Sequence, residues 1–312
     1  MKISAGEKQI REVSGWWNTL RNDQKWGKDY EEMEIHVSRY LISRKETVLK
    51  YLDDLTLNNK SRILELGYGG GQTTLEIGKR GFFTYGIDIS EKFCKTATDR
   101  CKSGYPDGYF DLRVGSIETT YSFPDEFFDA VIVVGALQYL FNPNDCFKEV
   151  RRVLKPNGFF IVAQRNKYSL SNFTSPRHFL RSCIHFLLKE PYELFPSIKS
   201  ILTSSRLGYI FGRYRGSWFL NTKLALKGHA NWQFDIKKRF FSYYSLKLSL
   251  RKNGFKVRRK GGAYYAFSEN SNYYQFNLKF DHLLNSLVSK RVIPYLFTLG
   301  RSIVLVAQKS EE

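Results

Sequence analysis

The sequence predicts an α/β fold in which helices cover a mostly parallel sheet. Three observations carry that prediction. Arg62–Leu66 is a short apolar run that enters a glycine-dense turn, Gly67-Tyr68-Gly69-Gly70-Gly71, with a helix-like stretch at Gln72–Lys79 behind it. Phe127–Val134 is a continuous apolar run, the pattern of a strand buried on both faces of a parallel sheet. Strands and helices alternate from Lys45 to Arg165, the order expected of βαβ units.

The glycine turn is the most informative segment. A strand, a glycine turn and a helix N-terminus make a nucleotide-sized pocket at the carboxyl edge of a parallel sheet. A dinucleotide fingerprint reads G-x-G-x-x-G, with its acid about 20 residues later. Here the acid comes first, and the pattern is E-x-G-x-G-x-G on Glu65, Gly67, Gly69 and Gly71. A second acid ends the next apolar run, Phe83–Asp88. A carboxylate at a strand tip can accept both hydroxyls of a ribose. Alternatively, Asp88 caps the helix predicted at Glu91–Arg100, because Asp is a good N-cap.

Further segments follow in order. Phe127–Gly135 reads as a strand, and Gly135-Ala136-Leu137-Gln138-Tyr139-Leu140 follows it. Phe147–Leu154 reads as an amphipathic helix, closed by the turn Lys155-Pro156-Asn157-Gly158 and a strand to Ala163. Together these segments resemble class I S-adenosylmethionine (SAM) dependent methyltransferases, of the UbiE-like small-molecule or glycan type. The resemblance covers residues 45–165. It returns at Phe241–Val257 as a late helix, a Gly-Phe turn and a strand, and at Gly300–Lys309 as a last strand.

The resemblance implies a Rossmann-like, seven-stranded, mostly parallel sheet with helices on both faces, and SAM as cofactor. It places cofactor contacts on Glu65, Gly67, Tyr68, Gly69, Gly71, Asp88, Ile89 and Gly135. Family members usually carry Gly-Asp where this chain has Gly115-Ser116, so Ser116 and Ile117 are the expected adenine neighbours, with Glu118 as another acceptor. Gln138 and Tyr139 would face the sulfonium and the acceptor. Many small-molecule relatives carry His at the position of Gln138. A glutamine orients an acceptor but cannot deprotonate it, so any base would come from elsewhere, and His229 is the histidine to test first.

Composition bounds the rest. The chain has 312 residues, 49 Lys+Arg against 30 Asp+Glu, and a net charge of +19. The excess is local: residues 165–260 hold 21 basic and 3 acidic side chains. Four domain segments follow: a helical cap at 1–44, the cofactor core at 45–165, a basic aromatic lid at 166–235, and the rest of the sheet at 236–312. No signal peptide is legible and no apolar run is long enough to span a bilayer. The four cysteines lack metal-ligand spacing, so no metal is expected, and free thiols in a cytoplasmic protein are.

A basic aromatic lid draws in anions. The expected acceptor is therefore a small molecule, a glycan of a surface polysaccharide, or a lipid-linked group, with O-methylation as the reaction. Peripheral contact with an anionic membrane surface fits the same composition. The alternatives are an RNA methyltransferase that uses the lid as a clamp, disfavoured because no separate RNA-binding module is recognisable, and a non-catalytic partner protein.

Overall fold

The computed structural model describes residues 4–19, 30, 33, 35–119, 121–169, 220–225, 233–265, 274–289 and 296–310. Its helices, in chain order, are α1 (Ala5–Thr19), α2 (Ile35–Asp53), α3 (Gln72–Gly78), α4 (Glu91–Gly104), α5 (Pro143–Val153), α6 (Tyr243–Lys252) and α7 (Tyr274–Ser289). The strands are β1 (Arg62–Leu66), β2 (Phe83–Asp88), β3 (Phe110–Val114), β4 (Phe128–Val134), β5 (Leu154–Arg165), β6 (Leu220–Ala225), β7 (Gln233–Lys238), β8 (Phe255–Ala263) and β9 (Ser302–Lys309). A short 3-10 helix, Leu137–Tyr139, follows β4.

Seven strands form one sheet in the order β3-β2-β1-β4-β5-β9-β8. The first five run parallel, and β9 is antiparallel to both β5 and β8. This is the doubly wound architecture that the sequence predicts. Parallel strands must bury both faces, which is why β1 and β4 are mostly apolar, with Glu65 and Asp129 as the exceptions inside them. On one face Leu64, Leu66, Val131, Val133 and Phe160 pack with Phe147 and Val150 of α5 and Leu246 and Leu250 of α6. On the other, Ile63, Ala130, Ile132 and Ile161 pack with Val48, Leu49 and Leu52 of α2 and Ile77 of α3. The strand order reverses at β1, between β2 and β4, and such a switch point opens a crevice at the carboxyl ends of the strands.

Two expected boundaries move. The sequence places a helix from Lys45, but α2 starts at Ile35 and runs unbroken through position 44. The cap and the core therefore share one helix. The amphipathic helix starts at Pro143 rather than Phe147, because Asn142 caps it by accepting from the Asn144 amide and Pro143 fits the first turn.

Most of the expected lid lies outside the described residues. What is described is the antiparallel hairpin β6–β7 and the stem of the segment. The outgoing chain at Asn166 and the returning chain at Phe241 form a parallel bridge, and the Lys167 amide donates to the Phe241 carbonyl at 2.9 Å. Asn166 is 1% exposed. Its side-chain amide donates to the carbonyls of Thr298 (2.5 Å) and Gly300 (2.8 Å), and its oxygen accepts from the Tyr168 amide (3.0 Å). One side chain thus joins the stem to the turn before β9.

Removing Asn166 would take a hydrogen bond from three backbone groups, one buried and two partly buried, and a buried group left unpaired costs about 1–3 kcal/mol. Asn166→Ala is expected to lower the unfolding free energy by about 2–4 kcal/mol in urea titration. A change under about 0.5 kcal/mol would show that water replaces the amide without loss.

Candidate active site

The carboxyl ends of β1, β2 and β4 surround a single cavity. β1 delivers Glu65 and Gly67 to its floor, β2 delivers Asp88 and Ile89, and the segment after β4 delivers Gly135, Gln138 and Tyr139. Ser116, Ile117 and Glu118 line the end beyond β3. Ile10, Val13 and Trp17 of α1, Tyr30, Arg44 of α2 and Phe93 of α4 complete the wall.

The glycine turn is built by close approach. Gly67 has φ +72°, and a Cβ there would lie 2.5 Å from the Ala136 Cβ. Any side chain would push β1 away from the turn after β4. Gly69 has open space where its Cβ would be, and its amide donates to Asp88 Oδ2 at 2.8 Å. Gly71 departs from the expected role. It does not line the cavity; it caps α3 at φ +79°, and a Cβ would meet the Ala97 Cβ at 2.8 Å. Its lack of a side chain serves the packing of α3 on α4.

Asp88 is 7% exposed. Its two oxygens accept from Gly69 N (2.8 Å) and Ser90 N (3.0 Å), which leaves lone pairs on both. Burial raises its pKa, and the amides of Gly69, Ser90 and Ile89 pull it back down. The helix cap is supplied by Ser90, whose hydroxyl accepts from Phe93 N at 3.2 Å. Asp88 is therefore free of that duty.

Glu65 is 2% exposed, and the Thr74 hydroxyl donates to it at 2.6 Å. Burial pushes its pKa up to about 8; the Thr74 bond opposes this and the Asp88 charge adds to it. Tyr68 turns its hydroxyl to the Arg113 carbonyl at 3.2 Å, with its ring where a Gly86 side chain would stand. Ser116 accepts from the Glu118 amide at 3.2 Å, and Glu118 accepts from the Asn142 amide at 2.6 Å.

On the opposite wall, the Gln138 side-chain nitrogen donates to the Gly135 carbonyl at 3.0 Å. A carbonyl only accepts, so the nitrogen must face it and the amide oxygen is left as an acceptor. Tyr139 is ringed by Trp16 (6.0 Å) and Trp17 (5.4 Å), and burial raises its pKa. His229, the expected candidate base, lies outside the described residues.

Two groups of cavity residues are not among the expected site residues. The first is the inner face of α1. Gln9 donates to the Tyr139 carbonyl (2.7 Å), Ser14 to the Ile89 carbonyl (3.3 Å), and the Ser90 hydroxyl to Asn18 (2.8 Å), so α1 spans the cavity from rim to rim. The second is Arg44. It is 7% exposed and lies against Gly135, 2.7 Å from where a Cβ would stand. It donates to the Tyr40 hydroxyl at 3.3 Å, and its Nε has no partner. Among the described residues, no carboxylate pairs with it. A signal existed: Leu41, Arg44, Val48 and Leu52 form one helical stripe, and a lone cation interrupts its apolar members.

The set fits SAM. Two buried acids and the rings of Trp17, Tyr68, Phe93 and Tyr139 suit a sulfonium and an ammonium, and one arginine suits a carboxylate. Fold and cavity together define a class I, Rossmann-like domain for a nucleoside cofactor.

Comparison with known proteins agrees. Residues 64–162 match the family model described as a methyltransferase domain. The chain is 27% identical over 176 residues to the demethylmenaquinone methyltransferase of Tropheryma whipplei (strain Twist), covering 53% of this chain and 67% of that protein. It is 30% identical over 107 residues to the ubiquinone biosynthesis O-methyltransferase of Caulobacter sp. (strain K31), covering 34% and 41%. A SAM-dependent methyltransferase from Thermotoga maritima has the same fold, with TM-score 0.51 and 18% identity over 97% of this chain and 100% of that one. Residues 64–162 thus carry a methyltransferase domain, and fold and relatives support the class I SAM-dependent type with SAM as its cofactor.

The raised pKa values of Glu65 and Asp88 carry a sign. Groups that hold protons more tightly when folded make stability fall as pH rises through that window. For Glu65 the window runs from about 4.5 to 8. Glu65→Gln is expected to flatten the stability curve between those limits in thermal melts without ligand. A cationic ligand favours the ionised acid, so the wild-type protein should release protons on binding SAM at pH 7. Calorimetry in buffers of different ionisation enthalpy measures this; no proton release would contradict a protonated Glu65.

Proposed function

We propose that this methyltransferase transfers the SAM methyl group to a hydroxyl or amine of a small-molecule acceptor, with an aromatic ring hydroxyl as the leading class. The observation that carries the acceptor chemistry is the orientation of Gln138. Its nitrogen is committed to Gly135, so its oxygen accepts a hydrogen bond from a group that carries a hydrogen. An O–H or N–H acceptor supplies that hydrogen. The relative named a ubiquinone biosynthesis O-methyltransferase points the same way, since its name gives an oxygen acceptor.

In this reading Asp88 takes the ribose hydroxyls on its remaining lone pairs. Glu65, Tyr68 and the backbone of Gly67 and Gly69 surround the methionine moiety. Ser116, Ile117 and Glu118 border adenine. Arg44 takes the methionine carboxylate, because it stands at Gly135, beside Ala136 and Gly67, away from the adenine end. The bound sulfonium supplies an activated methyl group. The chain contributes alignment: α1 covers the cavity, Gln138 orients the acceptor, and proximity does most of the catalysis. Glycan or lipid-linked acceptors, a role in polysaccharide synthesis, a cytoplasmic location and contact with a membrane surface remain compatible extensions of this reading.

Two substitutions test the cofactor contacts. Asp88→Ala is expected to weaken SAM binding at least about tenfold, the loss of one charge-assisted contact. Unchanged affinity would move the ribose elsewhere. Arg44→Ala should weaken SAM about tenfold or more and leave decarboxylated SAM nearly unaffected; equal losses for both ligands would remove the arginine from that role.

The acceptor is found by incubating the enzyme with methyl-labelled SAM and separated cell fractions. Label in the soluble-metabolite or lipid fraction supports the proposal. Label confined to RNA would overturn it.

A further inference from the structure

Arg44 reaches the cavity wall on a long side chain, and a flexible cation must be held in place before it can read an anion. Among the described residues, the one group to which Arg44 donates is the Tyr40 hydroxyl, 3.3 Å from its Nη1. The two residues stand four positions apart on α2 and so share a helix face. The Arg44 Cζ also lies 5.1 Å from the centre of the Tyr40 ring. One tyrosine thus meets the guanidinium with both its ring and its oxygen, on the side away from Gly135.

Tyr40 is itself anchored. It is buried, and Met33, Leu41 and Tyr264 pack in the same cluster. Its hydroxyl lies 3.0 Å from Ser302 Oγ. A guanidinium only donates, so the Tyr40 oxygen accepts from Arg44 and its own hydrogen is available to Ser302. Ser302 is fully buried at the start of β9, paired with Arg165 of β5 on one side and Ala263 of β8 on the other. The residue before it is fixed too: the Arg301 amide donates to the Tyr264 carbonyl, and the Arg301 carbonyl accepts from the Asn166 amide, both at 2.9 Å. Burial raises the Tyr40 pKa, but Arg44, the Ser302 bond, Arg301 and Arg165 together bring it below the usual tyrosine value. The phenol oxygen therefore sits in a positive field, which favours it as the acceptor for a guanidinium.

We propose that Tyr40 is a positioning residue for the cofactor: anchored on Ser302, it holds the Arg44 guanidinium against Gly135, where it reads the methionine carboxylate. This rests on the reading that Arg44 takes that carboxylate. In the sheet, β4 and β5 separate β9 from β1. Tyr40 thus carries the rigidity of a distant strand to the donor end of the site. Its effect is selective: it strengthens binding of a cofactor that keeps its carboxylate and leaves one without it unaffected.

The test is calorimetric binding of SAM and of decarboxylated SAM to the full chain, as wild type, Tyr40→Phe, Arg44→Ala and the double variant. Tyr40→Phe keeps the ring and removes only the hydroxyl. We expect it to weaken SAM about three- to tenfold and decarboxylated SAM less than about twofold. On the Arg44→Ala background the same change should alter SAM affinity less than about twofold, because the hydroxyl acts through the arginine. A purely structural role would weaken both ligands alike and add its loss on either background. Should Tyr40→Phe fail to fold, Ser302→Ala carries the same comparison, with a selective loss of about twofold or more expected for SAM. If Arg44→Ala weakens both ligands equally, the reading of Arg44 falls and the proposal with it. If Arg44→Ala is selective for SAM while Tyr40→Phe leaves SAM affinity unchanged, weakens both ligands equally, or costs as much without Arg44 as with it, the proposal alone is overturned.

Discussion

The structure depends on one buried carboxylate. Asp88 ends β2 and accepts from the amides of both Gly69 and Ser90. The first bond holds the glycine turn in its open shape. The second holds Ser90, which caps α4 and donates its hydroxyl to Asn18 of α1. Turn, capped helix and covering helix therefore all hang from one residue at the strand switch point. Burial raises the pKa of this acid, and the amides of Gly69, Ser90 and Ile89 pull it back down. Glu65, nearby, has only the Thr74 hydroxyl to oppose burial and rises to about 8. Two acids in one cavity thus differ in how far their partners offset burial.

The opposite wall follows a different rule, close packing. Gly67 lies against Ala136, and Gly135 lies against Arg44. These contacts leave no room for side chains, so β1, the turn after β4 and α2 converge at the wall where the proposed reading puts the methionine end of the cofactor. Gln138 and Tyr139 then face inward from a turn held by Gly135, Glu118 and Arg239. The donor half of the site is rigid sheet edge; the acceptor half is a turn whose restraints come from segments distant in sequence.

That division explains what was legible in the sequence. The donor half is local: Glu65, the glycines and Asp88 lie within 24 positions of one another, on strand tips that apolar runs announce. The mostly parallel sheet followed from the same patterns, and the late strands β8 and β9 from the family resemblance. Gly71 was read as a cofactor contact because it completes an alternating glycine pattern, but spacing cannot separate a glycine that meets a ligand from one that meets Ala97. Arg44 and the polar contacts of α1 were not among the expected site residues, because the partners of Gln9 and Ser14 are 130 and 75 residues away. Helical periodicity showed that those residues belong on a buried face, and nothing local showed what that face covers. The basic segment was legible as charge only, and His229 lies outside the described residues.

The measurement that tests the account most directly is calorimetric titration of S-adenosylhomocysteine into the wild-type protein at pH 7. The account predicts one site per chain, a dissociation constant in the range of about 1 μM to 1 mM, and uptake confined to a ligand that reaches both Asp88 and Glu65, so that adenosine alone binds more weakly. No binding at about 1 mM ligand, or equal affinity for adenosine, would contradict it.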